Sequence, residues 1–143
     1  MMKKLLNVSF AYAVLAMCGG VFYREFTRLH GFEGQTTLSF VHTHLFLLGM
    51  FFFLLCVLLE RAFRLSDQKH FGTFFVIYNL GLIVTAAMLA VRGVCQVLGA
   101  GLTSGMDAGI SGIAGFGHIL LGVGIILFFV LLRRCVLKRK KTA

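Results

Sequence analysis

Proline is absent from the 143 residues, so nothing here breaks a helix by deleting an amide donor. Discontinuous helices often build transporter sites inside membranes; that route is not signalled, although glycine can still unwind a helix locally. Acids are scarce too, with five Asp and Glu against fourteen Lys and Arg. None of the five falls within an apolar run, which removes the intramembrane carboxylate expected of a proton path or cation-coupled carrier. Four cysteines are present, yet Cys18, Cys56 and Cys95 lie in apolar runs, Cys135 in a basic tail, and no two form a CxxC. Neither a zinc site nor a disulfide framework is indicated, and the thiols read as small buried hydrophobes.

What is abundant is apolar. The chain is 59% hydrophobic and 13% charged, with a mean hydropathy of +0.93. A spanning helix needs roughly 20 mostly apolar residues, and four segments qualify: about 5–23, 38–59, 73–98 and 108–132. So little chain remains that a separate soluble domain is excluded. The reading is an all-α integral membrane protein, one domain over 1–143. Lys3 and Lys4 ahead of an apolar run resemble the start of a signal peptide. Cys18 to Tyr23 carry that run to full spanning length without an A-x-A-like site, however, so the first segment reads as a retained helix.

The net charge of +9 does not point to nucleic acid, because of where the charges sit. Lys3, Lys4, Arg61, Arg64, Lys69 and the 133–143 tail place eleven basic residues on one side, against Arg24 and Arg28 on the other. That asymmetry predicts both termini in the cytoplasm. A bacterial plasma membrane is the expected location, and the tail anchors topology and attracts anionic lipid.

The sharpest feature is His42-Thr43-His44 within the second apolar run. Intramembrane ionisable groups are functional candidates by default, and neutral imidazole ligates haem iron and copper. At ~100° per residue, side chains two apart diverge by about 200°. The two rings therefore serve different sites on opposite flanks of one helix. Both lie roughly 6–9 Å below the outer helix end at 1.5 Å per residue. Arg92, on the third helix, lies at similar depth. It must snorkel or pair with an anion, drawn from a ligand or from Glu25, Glu33 or Asp107. His118, near mid-membrane on the fourth helix, is either a hydrogen-bonded core residue or a ligand. The glycines of that helix, with Ala108/Gly112 and Ser111/Gly115 as small-xxx-small pairs, read as a close-packing face or as a slot for a flat macrocycle. Arg24 and Arg28 stand near the outer boundary, where they and Arg92 would meet haem propionates through charge-assisted bonds.

Lys3 to Asn7, Val21 to Thr27, and Val41 to Leu45 with Leu48-Gly49-Met50 resemble a family of small bacterial four-helix membrane proteins of undefined function. That resemblance spans the chain and implies a fold without an activity. More distantly, His42-Thr43-His44 resembles the His-x-His of the haem-copper oxidase catalytic subunit. There the two histidines of one helix hold two haems on opposite sides, in a twelve-helix plan of three four-helix arcs. The resemblance implies a homotrimer, haem b as cofactor, and iron sandwiched between His42 of one protomer and His44 of its neighbour. Arg92 or Arg24 would stand near the propionates. It does not extend to the copper site, whose histidines would come from helix three, where there are none. Oxygen reduction with proton pumping is accordingly not expected.

The leading expectation is a haem b protein of electron transfer, haem handling or gas sensing, with quinone or another redox protein as partner. Bis-histidine ligation leaves no open coordination position, which favours electron transfer. The alternatives are a small transporter or channel with a path lined by His42, His44 and Arg92; a copper protein using His42, His44, His118 and Met50; and an accessory subunit.

Overall fold

Residues 1–140 are described by a computed structural model, with side chains through Lys138. Four helices, each long and apolar enough to cross a membrane, account for nearly all of it: α1 Met2–Leu29, α2 Leu38–Phe63, α3 Phe71–Val97 and α4 Ser104–Lys140. Each exceeds its apolar stretch. Hydropathy marks where lipid is tolerated, whereas helical hydrogen bonding continues through polar residues such as Arg24, Glu25 and Arg28. The basic tail expected from residue 133 continues α4 to Lys140, and its last three residues lie outside the described part.

The helices pack in chain order as an open arc, α1 on α2, α2 on α3, and α3 most extensively on α4. Among the described residues the end helices α1 and α4 do not form a packed pair. One end of the bundle carries the 30–37 and 98–103 connections, and is termed here the first-loop end. The other carries Lys3, Lys4 and the 64–70 connection, and is the basic end.

Toward the basic end all four helices share an aromatic core. Phe52 stacks on Tyr78 with centroids 4.2 Å apart and meets Phe128 at 5.0 Å, while Phe53 packs against both Tyr12 and Tyr78. Glu60, almost fully buried at the end of α2, accepts from Ser66 Oγ at 2.5 Å and Ser66 N at 2.8 Å. It thereby fixes the turn that Arg64 makes in the left-handed region at φ 49°.

Two features differ from the sequence reading. First, α2 is not uniform. Leu38–His44 is α-helical, Leu45–Phe51 is π-helical, and Phe52–Phe63 is α-helical again. Within this stretch Gly49 packs directly on Tyr12, and a Cβ there would lie 2.6 Å from Tyr12 Cγ. Backbone freed by such irregularity must find partners within protein. Here Tyr78 OH donates to Leu48 O, and Ser9 Oγ to Met50 O, each at 2.8 Å.

Second, only some of the fourth helix's glycines pack closely within the protomer, and the two small-xxx-small pairs are not among them. Gly112 and Gly115 have open space where a Cβ would stand. The α3–α4 seam instead uses Gly81, where a Cβ would fall 2.4 Å from Leu121 N, and Gly117 and Gly124, against Thr85 and Tyr78. Small residues permit this close approach, and the same rotation of α4 places Phe128 in the aromatic core at the basic end.

Candidate functional site

The histidine pair lies wholly within the regular first two turns of α2, so the 200° divergence is preserved. His42 faces α1. Its ring stacks on Tyr23 with centroids 6.4 Å apart and planes 15° from parallel. The flank is open to it because Gly19 and Gly20 line α1 there; a Cβ on Gly20 would lie 3.7 Å from the imidazole. His42 Nδ1 is buried without a hydrogen-bond partner. In a low-dielectric setting such an atom is costly.

His44 faces the opposite flank, toward α4. Its Nδ1 lies 2.8 Å from Phe40 O, and the Nδ1 of His118 lies 2.8 Å from Ala114 O. A carbonyl can only accept, so in each ring Nδ1 carries the proton. The neutral imidazole then has its lone pair on Nε2. The two rings meet in an edge-type contact, with centroids 6.4 Å apart and planes at 89°. A shallow cavity of about 210 Å³ is lined by Thr43, His44, Leu47 and Leu48, all on α2.

Nearer the first-loop end, α3 is tied to both neighbours. Thr36 Oγ1 donates to Gly93 O at 3.0 Å, and Thr37 Oγ1 to Leu89 O at 2.8 Å. Gln96 Oε1 accepts from Thr37 N at 2.8 Å. Arg92 is drawn the other way, to α4. Its Nη2 donates to Asp107 Oδ1 at 2.7 Å and to Ser111 Oγ at 2.6 Å. Of the three acids that sequence offers Arg92, the fold selects Asp107. Arg24 stands exposed on α1, 3.9 Å from Glu25, and Arg28 is 4.0 Å from the same carboxylate; exposed pairs of this kind contribute little.

The structure thus brings His44 to His118, sends His42 to Tyr23, and pairs Arg92 with Asp107. It does not gather His42, His44, His118 and Met50 at one point: among the described residues no three His, Cys, Asp or Glu side chains converge as a metal site. Tyr23 is the site neighbour that sequence reasoning missed. Its place at the end of α1, level with His42, was the available signal.

Comparison with curated proteins and with solved structures gives no match. A family profile does match, over residues 2–135. The chain belongs to the family described as protein of unknown function DUF2871.

Proposed function

We propose that this protein is a haem b-binding integral membrane protein of bis-histidine type that carries electrons. The observation that supports it is the state of His44. Its Nδ1–H is held by the Phe40 carbonyl at 2.8 Å, and an anchored Nδ1–H with a free Nε2 is how metal-ligating imidazoles are oriented. Placing such a group at membrane depth is costly unless it is used. The donor chemistry suits haem, because imidazole nitrogen is an established axial ligand and a second imidazole completes six-coordination. When bound, haem would supply one-electron redox chemistry. The protein's part is to fix the ligand nitrogens, wall off water with apolar helices and set the local charge.

The open arc supports the oligomeric part of the reading. The cavity beside His44, about 210 Å³, is smaller than the ~300–1,000 Å³ usual for a cofactor pocket. A macrocycle seated there would be walled on one side only, and a second copy of the chain would close it. Three such arcs form a homotrimer similar to the twelve-helix haem-copper oxidase plan. In that assembly the neighbour's His42 is one source of a second nitrogen. The charge asymmetry supports a plasma-membrane topology with both termini cytoplasmic and the histidines toward the outer side. Quinone or a second redox protein is the fitting partner class. The alternative of a channel or transporter is disfavoured by the Arg92–Asp107 pair, which neutralises the cation that an anion path would use.

The test is the visible spectrum of detergent-purified protein, oxidised and dithionite-reduced. A Soret band with sharp reduced α and β bands, lost in His44→Ala, is the expected result. Absence of any chromophore after expression with added haem would overturn the reading. Ion flux through chromophore-free proteoliposomes would then establish the channel.

A further inference from the structure

We infer that the basic end carries a second site, a cleft between the end of α2, the turn that follows it and α4, which binds the phosphate of an anionic phospholipid headgroup. This goes beyond the haem reading and does not depend on it.

The first argument is position. A cleft of about 320 Å³ is lined by Arg61, Arg64, Asp67 and Gln68 on the α2 side and by Lys138 of α4, with Phe63 as an apolar wall. The apolar runs of the two helices end near residues 59 and 132. Arg61, Arg64 and Lys138 therefore lie at most about 9 Å beyond them, at 1.5 Å per residue. That is headgroup depth, where basic pockets between helices hold anionic lipid.

The second argument is charge. Three cations border the cleft against one carboxylate, that of Asp67. Among the described residues neither Arg61 nor Arg64 is in an ion pair. The neighbouring Glu60 carboxylate is turned to Ser66. Arg61, Arg64 and Asp67 also border an adjoining cleft with Lys3 and Glu60, and there too the basic side chains outnumber the acidic ones. Charge-assisted bonds from arginine to phosphate are the strong class.

The third argument is the backbone of Arg64. It caps α2 in the left-handed region, at φ 49° and ψ 56°, a conformation that helix ends usually give to glycine. A side chain is disfavoured there. The turn holds the conformation in place: Arg64 N donates to Glu60 O at 2.9 Å, Arg64 O accepts from Asp67 N at 3.1 Å, and Leu65 is buried. An arginine at a glycine position gives up stability, and strain of this kind points to use. Here the strained residue is one that borders both clefts.

The experiment uses the full-length protein, delipidated in detergent, as wild type, Arg64→Gly, Arg61→Gln, Asp67→Asn and Arg134→Gln. Arg134 is an exposed arginine of α4 that lines neither cleft. Native mass spectrometry reads the affinity for phosphatidylglycerol and for phosphatidylcholine. Melting temperature is followed with each lipid and with inorganic phosphate. The wild type is expected to prefer phosphatidylglycerol and to melt higher with it, as a ligand of the folded state requires. Arg64→Gly is expected to melt without lipid at or above the wild type, its strain relieved, yet to lose about tenfold in phosphatidylglycerol affinity. Arg61→Gln is expected to lose as much, Asp67→Asn to bind more tightly, and Arg134→Gln to change little. An equal loss in Arg134→Gln would overturn the site in favour of diffuse attraction by every basic residue. Inorganic phosphate raising the melting temperature as far as the lipid does would overturn the lipid assignment and leave a site for free phosphate. If Arg64→Gly does not accumulate, Arg61→Gln decides, because unchanged affinity there would overturn the proposal. The presence or absence of a chromophore bears on the haem reading alone.

Discussion

The guanidinium of Arg92 meets Asp107 Oδ1 at 2.7 Å, joining the last turns of α3 to the first turn of α4 across a six-residue connection. The same nitrogen donates to Ser111 Oγ, one turn further along α4. α4 contributes few other contacts at this end, where residues 104–109 are all exposed. The ion pair therefore ties the first turn of α4 to the end of α3.

Asp107→Asn should loosen that first turn. Asp107 is 57% exposed and Arg92 29%, so solvent screens the pair and the coupling should be about 1 kcal/mol or less. A double-mutant cycle with Arg92→Gln, read by thermal unfolding in detergent, measures it. Additive single effects would show that the pair carries no coupling.

The glycines of α3 and α4 should divide into two classes. Gly81→Ala drives a methyl into the backbone at Leu121, and overpacking of this kind costs typically ~1–3 kcal/mol. Gly112→Ala meets nothing within the protomer and should gain roughly 0.5–1 kcal/mol of helix propensity. Melting temperatures of the two variants should move in opposite directions. If Gly112→Phe abolishes self-association while the protomer still folds, that face is where copies meet.

The π-helical stretch after His44 should depend on its two hydroxyl donors. Tyr78→Phe frees Leu48 O, and Ser9→Ala frees Met50 O. Membrane-buried hydrogen bonds of this kind average about 0.6 kcal/mol, so each variant should lower stability by about that amount. Gly49→Ala should cost more, because its methyl would sit on the Tyr12 ring. Equal losses for all three would mean that Tyr12 packing does not hold the stretch in place.

What was legible in the sequence is what depends on one residue's neighbours along the chain. Apolar run length gave the four spans, and the spacing of His42 and His44 gave opposite flanks, as their contacts with Tyr23 and His118 bear out. The acid for Arg92 was narrowed to three and not chosen, because the choice follows from the short α3–α4 connection. The π-helical segment was hidden: it coincides with Tyr12 packing on Gly49, thirty-seven positions apart, and leaves no local mark. Which of α4's glycines pack on α3 was not legible for a related reason. α4 is apolar nearly all round, so periodicity cannot show which side meets α3. The pairing of His44 with His118 needed that rotation as well.

His42 offers a test in which stability should move opposite to the usual direction. Replacing a buried polar residue normally costs free energy because its partner is left unpaired. His42 Nδ1 has no partner to lose, and an unsatisfied buried group costs about 1–3 kcal/mol. Phenylalanine keeps an aromatic ring against Tyr23 and deletes that atom. His42→Phe in the haem-free protein should therefore unfold at the same temperature as wild type or higher. His44→Phe should gain less, since it gives up the bond to Phe40 O. A clear drop in melting temperature for His42→Phe would mean that Nδ1 is satisfied in the membrane, by water or by a neighbouring copy.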